Sequence, residues 1–102
     1  MPLVGRKRID ILIDTPLCPW LAREADGAGI PHHTFLAAES GRGRTGAWRD
    51  EDVSGALSKK MFVAVAKAEQ VDALLEALTP HLDDYGLIVM ISNVEVVRSD
   101  RF

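Results

Sequence analysis

The sequence predicts an α+β domain in which two helices cover one face of a four-stranded antiparallel sheet. Three observations predict it. Residues 7–14 and 60–66 alternate with period two, the signature of strands. Residues 70–82 carry an apolar stripe at helical spacing. Glycine- and proline-rich breaks separate these from a short helix and two more strand segments, so the element order reads βαββαβ.

The first strand, Lys7–Asp14, sets Ile9, Ile11 and Ile13 on one face and Asp10, Leu12 and Asp14 on the other. Thr15-Pro16 ends it, and a short helix over Pro19–Asp26 would turn Trp20, Leu21 and Ala25 inward. Gly27 and Gly29 stop that helix, Pro31 opens the next segment, and His32–Glu39 is the second strand. Ser40–Ser58 sustains neither period and contains Gly41, Gly43, Gly46 and Gly55; a stretch of that length is functional or mobile, or else a solvated hairpin connection. Lys60–Ala66 sets Met61, Val63 and Val65 against Phe62, Ala64 and Ala66, a strand expected to be covered on both faces.

In the second helix, Gln70–Leu82, the stripe is Val71, Leu74, Leu75, Leu78 and Leu82, and Pro80 should kink or weaken the last turn. Asp83–Gly86 is a turn and Leu87–Val97 the final strand. Right-handed crossovers put both helices on one sheet face, the ferredoxin-like βαββαβ arrangement. No third helix remains for the other face, and self-association is the economical way to cover it.

A chain of 102 residues supports one core, so residues 1–102 form a single domain. Apolar residues at 47% and charged residues at 26% are ordinary globular proportions and argue against disorder. A net charge of −3 excludes a generic nucleic-acid binder. Apolar runs such as Leu87–Ile91 are far short of the ~20 residues of a membrane span. Met1–Arg8 lacks the apolar stretch of a signal peptide, and the one cysteine, Cys18, permits no internal disulfide; a cytoplasmic setting is expected.

The average charge hides a local asymmetry: Ser40–Arg49 holds three arginines and no acid, and Asp50-Glu51-Asp52 follows. Gly41-Arg42-Gly43-Arg44-Thr45-Gly46 can aim successive backbone N–H groups at one anion and offers forked guanidinium donors. No helix opens on these glycines, so a dinucleotide fold is rejected. Arg98 and Arg101 at the end of the last strand either face solvent or swing back to hold a phosphate. Trp48 either packs onto the body or meets a ligand or partner. His32, His33, His81 and Cys18 lack metal-ligand spacing, Asp83-Asp84 reads as a solvated turn, and no nucleophile stands with a base, so catalysis is not expected.

The order of elements, the glycine-arginine start of the long loop and Glu69-Gln70-Val71-Asp72-Ala73 opening the second helix resemble the PII signalling family. Leu82-Asp83-Asp84-Tyr85, Ile91-Ser92, Val94-Glu95 and Arg98 through Phe102 resemble its carboxysome-associated, bicarbonate-uptake-linked PII-like branch. The resemblance implies a homotrimer with three adenine-nucleotide clefts between subunits and a mobile T-loop at about residues 40–58. It implies that Gly41, Gly43 and Arg44 line the phosphates, that Arg98 and Arg101 add charge, that Tyr85 and Gly86 form the facing turn, and that Thr34 approaches the adenine. Bicarbonate would be held by Arg44, Thr45 and Gly46, with Lys59 or Lys60 approaching from the far end of the loop.

The implied role is to regulate inorganic-carbon uptake through a membrane bicarbonate transporter or a carboxysome-related protein. The nitrogen-sensing branch carries a loop tyrosine, but the one tyrosine here is Tyr85. Thr45 stands where that branch has its glutamine, and Asp83-Asp84-Tyr85-Gly86 lacks the lysine of its glycine-aspartate-glycine-lysine turn. ADP or AMP is therefore expected over ATP with magnesium. Two rival readings keep the same element order: a metal-responsive trimer using His32, His33 or His81, and a small acyl-phosphate-hydrolysing enzyme. The latter's phosphate cradle would fall at Asp14–Pro19, which offers neither arginine nor glycine.

Overall fold

The computed structural model of the protein describes residues 1–43, 46–49 and 58–102. Strand β1 (Val4–Asp14) leads through a 3-10 turn at Thr15–Leu17 into helix α1 (Cys18–Gly27). Strand β2 (Thr34–Ala38) is followed by a hairpin of β3 (Ser40–Gly43) and β4 (Gly46–Arg49). Strand β5 (Lys59–Ala66), helix α2 (Ala68–Leu78), a 3-10 turn at Thr79–His81 and strand β6 (Ile88–Val96) complete the order, with a 3-10 turn at Ser99–Arg101. The main sheet runs β2-β5-β1-β6, all neighbours antiparallel, with the two longest pairings on central β1. This is the ferredoxin-type α+β fold.

One sheet face carries the core. Ile9, Ile11 and Ile13 of β1 and Phe62, Ala64 and Ala66 of β5 are buried beneath Leu21 and Ala25 of α1 and Val71, Leu74 and Leu78 of α2. Period two in the strands and a helical stripe above them make one layer contact. Two further ties fix the helix ends. Gln70 accepts from the Lys67 backbone N–H at 2.9 Å and donates to the Gly29 carbonyl at 2.7 Å, joining the start of α2 to the turn after α1. Gly29 lies at φ +79°, a left-handed position natural to glycine just past a helix end, and Ile30 N–H donates back to the Ala25 carbonyl.

Three expectations are corrected. Helix α2 ends at Leu78 rather than Leu82, because Pro80 has no N–H for the helical ladder; Thr79 Oγ1 donates to the Leu75 carbonyl at 2.7 Å and the chain tightens to a 3-10 turn. Leu82 thereby leaves the apolar stripe and is exposed. Strand β5 is not covered on both faces within the protomer: Phe62, Ala64 and Ala66 are buried, while Met61, Val63 and Val65 stay partly open on the face away from the helices. At the start of the long loop, Ser40–Gly43 and Gly46–Arg49, read in sequence as sustaining no period, pair as β3 and β4.

Candidate ligand cleft at the base of the hairpin

The loop leaves and rejoins the sheet beside the end of β1. Lys59, at the start of β5, pairs with Asp14 on one side and Ala38 on the other. Thr15 N–H donates to the Ser58 carbonyl at 3.0 Å, and Ser58 Oγ to Thr15 Oγ1 at 2.7 Å, so buried Ser58 pins the returning chain. The Lys59 ammonium forms an ion pair with Asp14 Oδ1 and lies 5.2 Å from the ring centroid of Trp48. A cation over an indole face contributes about 0.5–2 kcal/mol, depending on desolvation.

Trp48 stands opposite Gly41 in the hairpin register, and its ring lies against that glycine: a Cβ at position 41 would stand 2.3 Å from the indole. Gly41 is thus fixed by close approach. Gly46, at φ +120°, is the second position in the hairpin that favours glycine.

Across from the hairpin lies the turn between α2 and β6. Gly86 N–H donates to the Asp83 carbonyl at 3.2 Å and Leu87 N–H to the Leu82 carbonyl at 3.0 Å; Gly86 is left-handed at φ +61°. Tyr85 anchors this turn, its ring stacked on His81 at 4.8 Å and edge-on to Trp20 at 4.9 Å. Between hairpin and turn runs a cleft of about 1070 Å³. Its donor-bearing walls are Arg42, Lys59 and Trp48; its carboxylates are Asp14, Asp83 and Asp84. Such a mixed set suits a ligand carrying both anionic oxygens and hydroxyl or amino groups.

Of the expected site residues, Gly43, Tyr85, Gly86 and Lys59 line this cleft. Gly41 sits beneath Trp48, and Gly46 pairs with Gly43 at the hairpin end. Arg44, Thr45 and the acidic Asp50-Glu51-Asp52 lie outside the described residues. Thr34 is exposed on β2 opposite Val63, four residues along the strand from Ala38, the partner of Lys59. Arg98 and Arg101 are elsewhere. The sheet ends at Val96, paired with Val4, whereas the cleft adjoins Ile88, paired with Leu12. At about 3.3 Å per residue the arginines are roughly 25–30 Å from the cleft within one protomer. The chain leaves the sheet there through Arg98 at φ +53°, and Arg101 N–H donates to the Arg98 carbonyl at 2.9 Å, gathering both arginines in one turn.

Sequence reasoning missed Asp14 and the Gly41–Trp48 pairing, and Asp83 and Asp84, read as a solvated turn, line the cleft. Glycine at 41 and 43 set against tryptophan at 48 was the available signal, since an aromatic ring across a hairpin needs a residue without a side chain opposite it.

Two of the three histidines have aromatic partners: His33 stacks on Phe62 at 5.3 Å and His81 on Tyr85. Among the described residues no three His, Cys, Asp or Glu side chains come close enough to hold a metal. Burial pushes the Cys18 thiol up from its ordinary value, opposed by the Lys60 ammonium and reinforced by Asp14. Because the folded chain holds that proton more tightly, the stability it contributes is fully present below the ordinary thiol pKa and is lost as pH rises from that value through the raised one. Iodoacetamide at pH 8 should therefore alkylate Cys18 several-fold more slowly in the native chain than in urea, a ratio read by mass spectrometry; equal rates would contradict it.

Residues 6–101 match the family model described as nitrogen regulatory protein P-II. The chain belongs to the P-II family. P-II proteins are regulators, and the match takes in nearly all of this chain. No curated protein sequence matches it. Among solved structures it is similar to CPII, a nitrogen regulatory PII-like protein from Thiomonas intermedia K12 bound to ADP, AMP and bicarbonate, at TM-score 0.91 and 22% identity, over 99% of this chain and 96% of that one. It is also similar to a PII-like signaling protein from Thermus thermophilus, at TM-score 0.86 and 24% identity, over 100% and 99% of the two chains. CutA from Synechococcus elongatus PCC7942 shares the P-II fold less closely, at TM-score 0.70 and 12% identity over 98% and 93%. Among the described residues of this P-II chain no helix is long and apolar enough to cross a membrane.

Proposed function

We propose that this P-II protein is a homotrimeric carbon-status sensor that binds ADP or AMP together with bicarbonate in clefts between subunits and reports their occupancy through the loop of residues 40–58. The observation that carries the reading is the mixed donor and carboxylate cleft between the hairpin base and the Asp83–Gly86 turn. Phosphates suit Arg42, Gly43 and the neighbouring Arg44; the carboxylates Asp83 and Asp84 suit ribose hydroxyls or an adenine amino group. Bicarbonate suits Arg44, Thr45, Gly46 and Lys59, whose cationic side chains and backbone N–H groups are the donor types a small oxyanion takes. That CPII, of the same fold, is bound to ADP, AMP and bicarbonate supports the ligand class.

The placement of Arg98 and Arg101 supports the trimer. Exposed at the far end of β1 and β6, they can add charge to a cleft only when it belongs to another copy of the chain. Thr34 would approach the adenine from the open sheet face. The regulated process in this reading is inorganic-carbon uptake or carboxysome function, with a bicarbonate transporter or a carboxysome-related protein as the partner.

Fixing loop residues costs about 1–2 kcal/mol each, so a few ligand contacts of about 1.5–3 kcal/mol can order the loop base but not all of it. Calorimetric titration of AMP, ADP and ATP, each with and without bicarbonate, tests the proposal. Submillimolar ADP or AMP binding is expected, altered by bicarbonate and weakened at least tenfold by Arg44→Ala, the loss of about one charge-assisted hydrogen bond. Nucleotide binding indifferent to bicarbonate would remove the second ligand from the reading, and no nucleotide binding at all would end it.

A further inference from the structure

Three observations converge on Trp48. Its ring is seated on Gly41 so closely that no side chain fits at 41. Its Nε1–H is buried and has no hydrogen-bond partner among the described residues, an unfavourable state for a donor with no other option. Its π-face is held by the Lys59 ammonium, which is simultaneously paired with Asp14. Lys59 thus divides one charge between a carboxylate and an indole at the edge of the cleft.

Resting on the ligand reading of this cleft, we propose that Trp48 is the positioning residue that couples ligand binding to the β3–β4 hairpin. An anionic ligand oxygen competes with Asp14 for the Lys59 ammonium. When Lys59 turns to the ligand, the charge over the indole moves, and the ring loses what holds it in a seat where its N–H has no acceptor among the described residues. The indole then gains by reorienting that N–H toward an oxygen in the cleft. Trp48 and Gly41 are cross-strand partners, so a change of seat carries the hairpin with it. Asp14 thereby acts as the ligand's stand-in, and the unliganded hairpin is held down from within.

The test reads Trp48 emission in a Trp20→Phe background, which leaves it the only tryptophan while keeping a ring against Tyr85. ADP, AMP and sodium bicarbonate are titrated at constant ionic strength, with calorimetry in parallel. The expected result is a saturable change in emission and acrylamide quenching at the calorimetric Kd, retained in Lys59→Arg and lost in Lys59→Gln. Gly41→Ala, outside the four-stranded sheet, should show displaced emission before any ligand is added and no further change on saturation. Calorimetric binding with unmoved Trp48 emission overturns the coupling alone. No calorimetric heat from any of the three ligands overturns both the coupling and the ligand reading beneath it.

Discussion

Phe62→Ala should lower the melting temperature by about 15 °C or more, since truncating such a ring costs about 3–5 kcal/mol, combining lost transfer energy with the cavity left behind. Phe62 is fully buried in β5, between Ile11 on β1 and Phe35 on β2, and also stacks on His33. A domain of this size has a total stability of about 5–15 kcal/mol, and each kilocalorie moves the midpoint by roughly 4–8 °C. Neighbours can relax only partly, because α1 and α2 close the layer above. Phe62→Leu, which restores most of the volume, should recover more than half of the loss. Circular dichroism melts at one fixed protein concentration check both, since self-association makes the midpoint concentration-dependent. A Phe62→Ala melt within about 5 °C of the parent, roughly one kilocalorie, would show that the core is not centred where the fold places it.

Met61→Asp should have the opposite profile, sparing the protomer while dismantling the assembly. Residue 61 lies on the face away from the helices, in a row that crosses all four strands as Leu36, Met61, Leu12 and Ile88. Leu36 is 51% exposed, Ile88 56% and nearby Met90 55%, a contiguous apolar surface that an isolated soluble domain rarely presents. Within this face Arg8 and Asp10 satisfy each other through two hydrogen bonds at 2.8 and 3.0 Å, so these two charges are already paired. An unpaired aspartate enclosed between copies has no such partner and bears the full cost of desolvation. Sedimentation velocity should show the parent as a trimer and Met61→Asp as a species near 11.2 kDa. Nucleotide affinity should fall with it, because Arg98 and Arg101 of one copy would no longer reach another copy's cleft. A variant that keeps the parental mass would argue against this face as the interface, and a monomer that keeps full nucleotide affinity would argue against shared clefts.

Much of this protein was legible along the chain because the signals are local. Isoleucine at 9, 11 and 13 and the helical spacing of Val71, Leu74 and Leu78 each report which face of an element is apolar, and a face must be buried whatever it meets. The turn at Asp83–Gly86 was legible for the same reason: Gly86 supplies the left-handed position that the turn requires. Pro80 announced a weakened helix end, although not that the stripe would stop at Leu78.

The cleft was legible only in part. The Gly-Arg run pointed to anion binding, and Tyr85, Gly86 and Lys59 do meet its base. Asp14, by contrast, reads in sequence as the polar end of a strand; it becomes an ion-pair partner only because antiparallel register sets it beside Lys59, 45 residues away. Gly41 reads as a phosphate-loop glycine, and hairpin register makes it the seat of Trp48. Arg98 and Arg101 read in sequence either as solvated or as swung back to a phosphate, and the 9 residues of β6 carry them to the end of the sheet away from this protomer's cleft. Composition and periodicity determined the elements, their apolar faces and their order. Register, strand length and direction, which depend on pairing between distant segments, decided which charges share a cleft and which lie at the opposite end of the sheet.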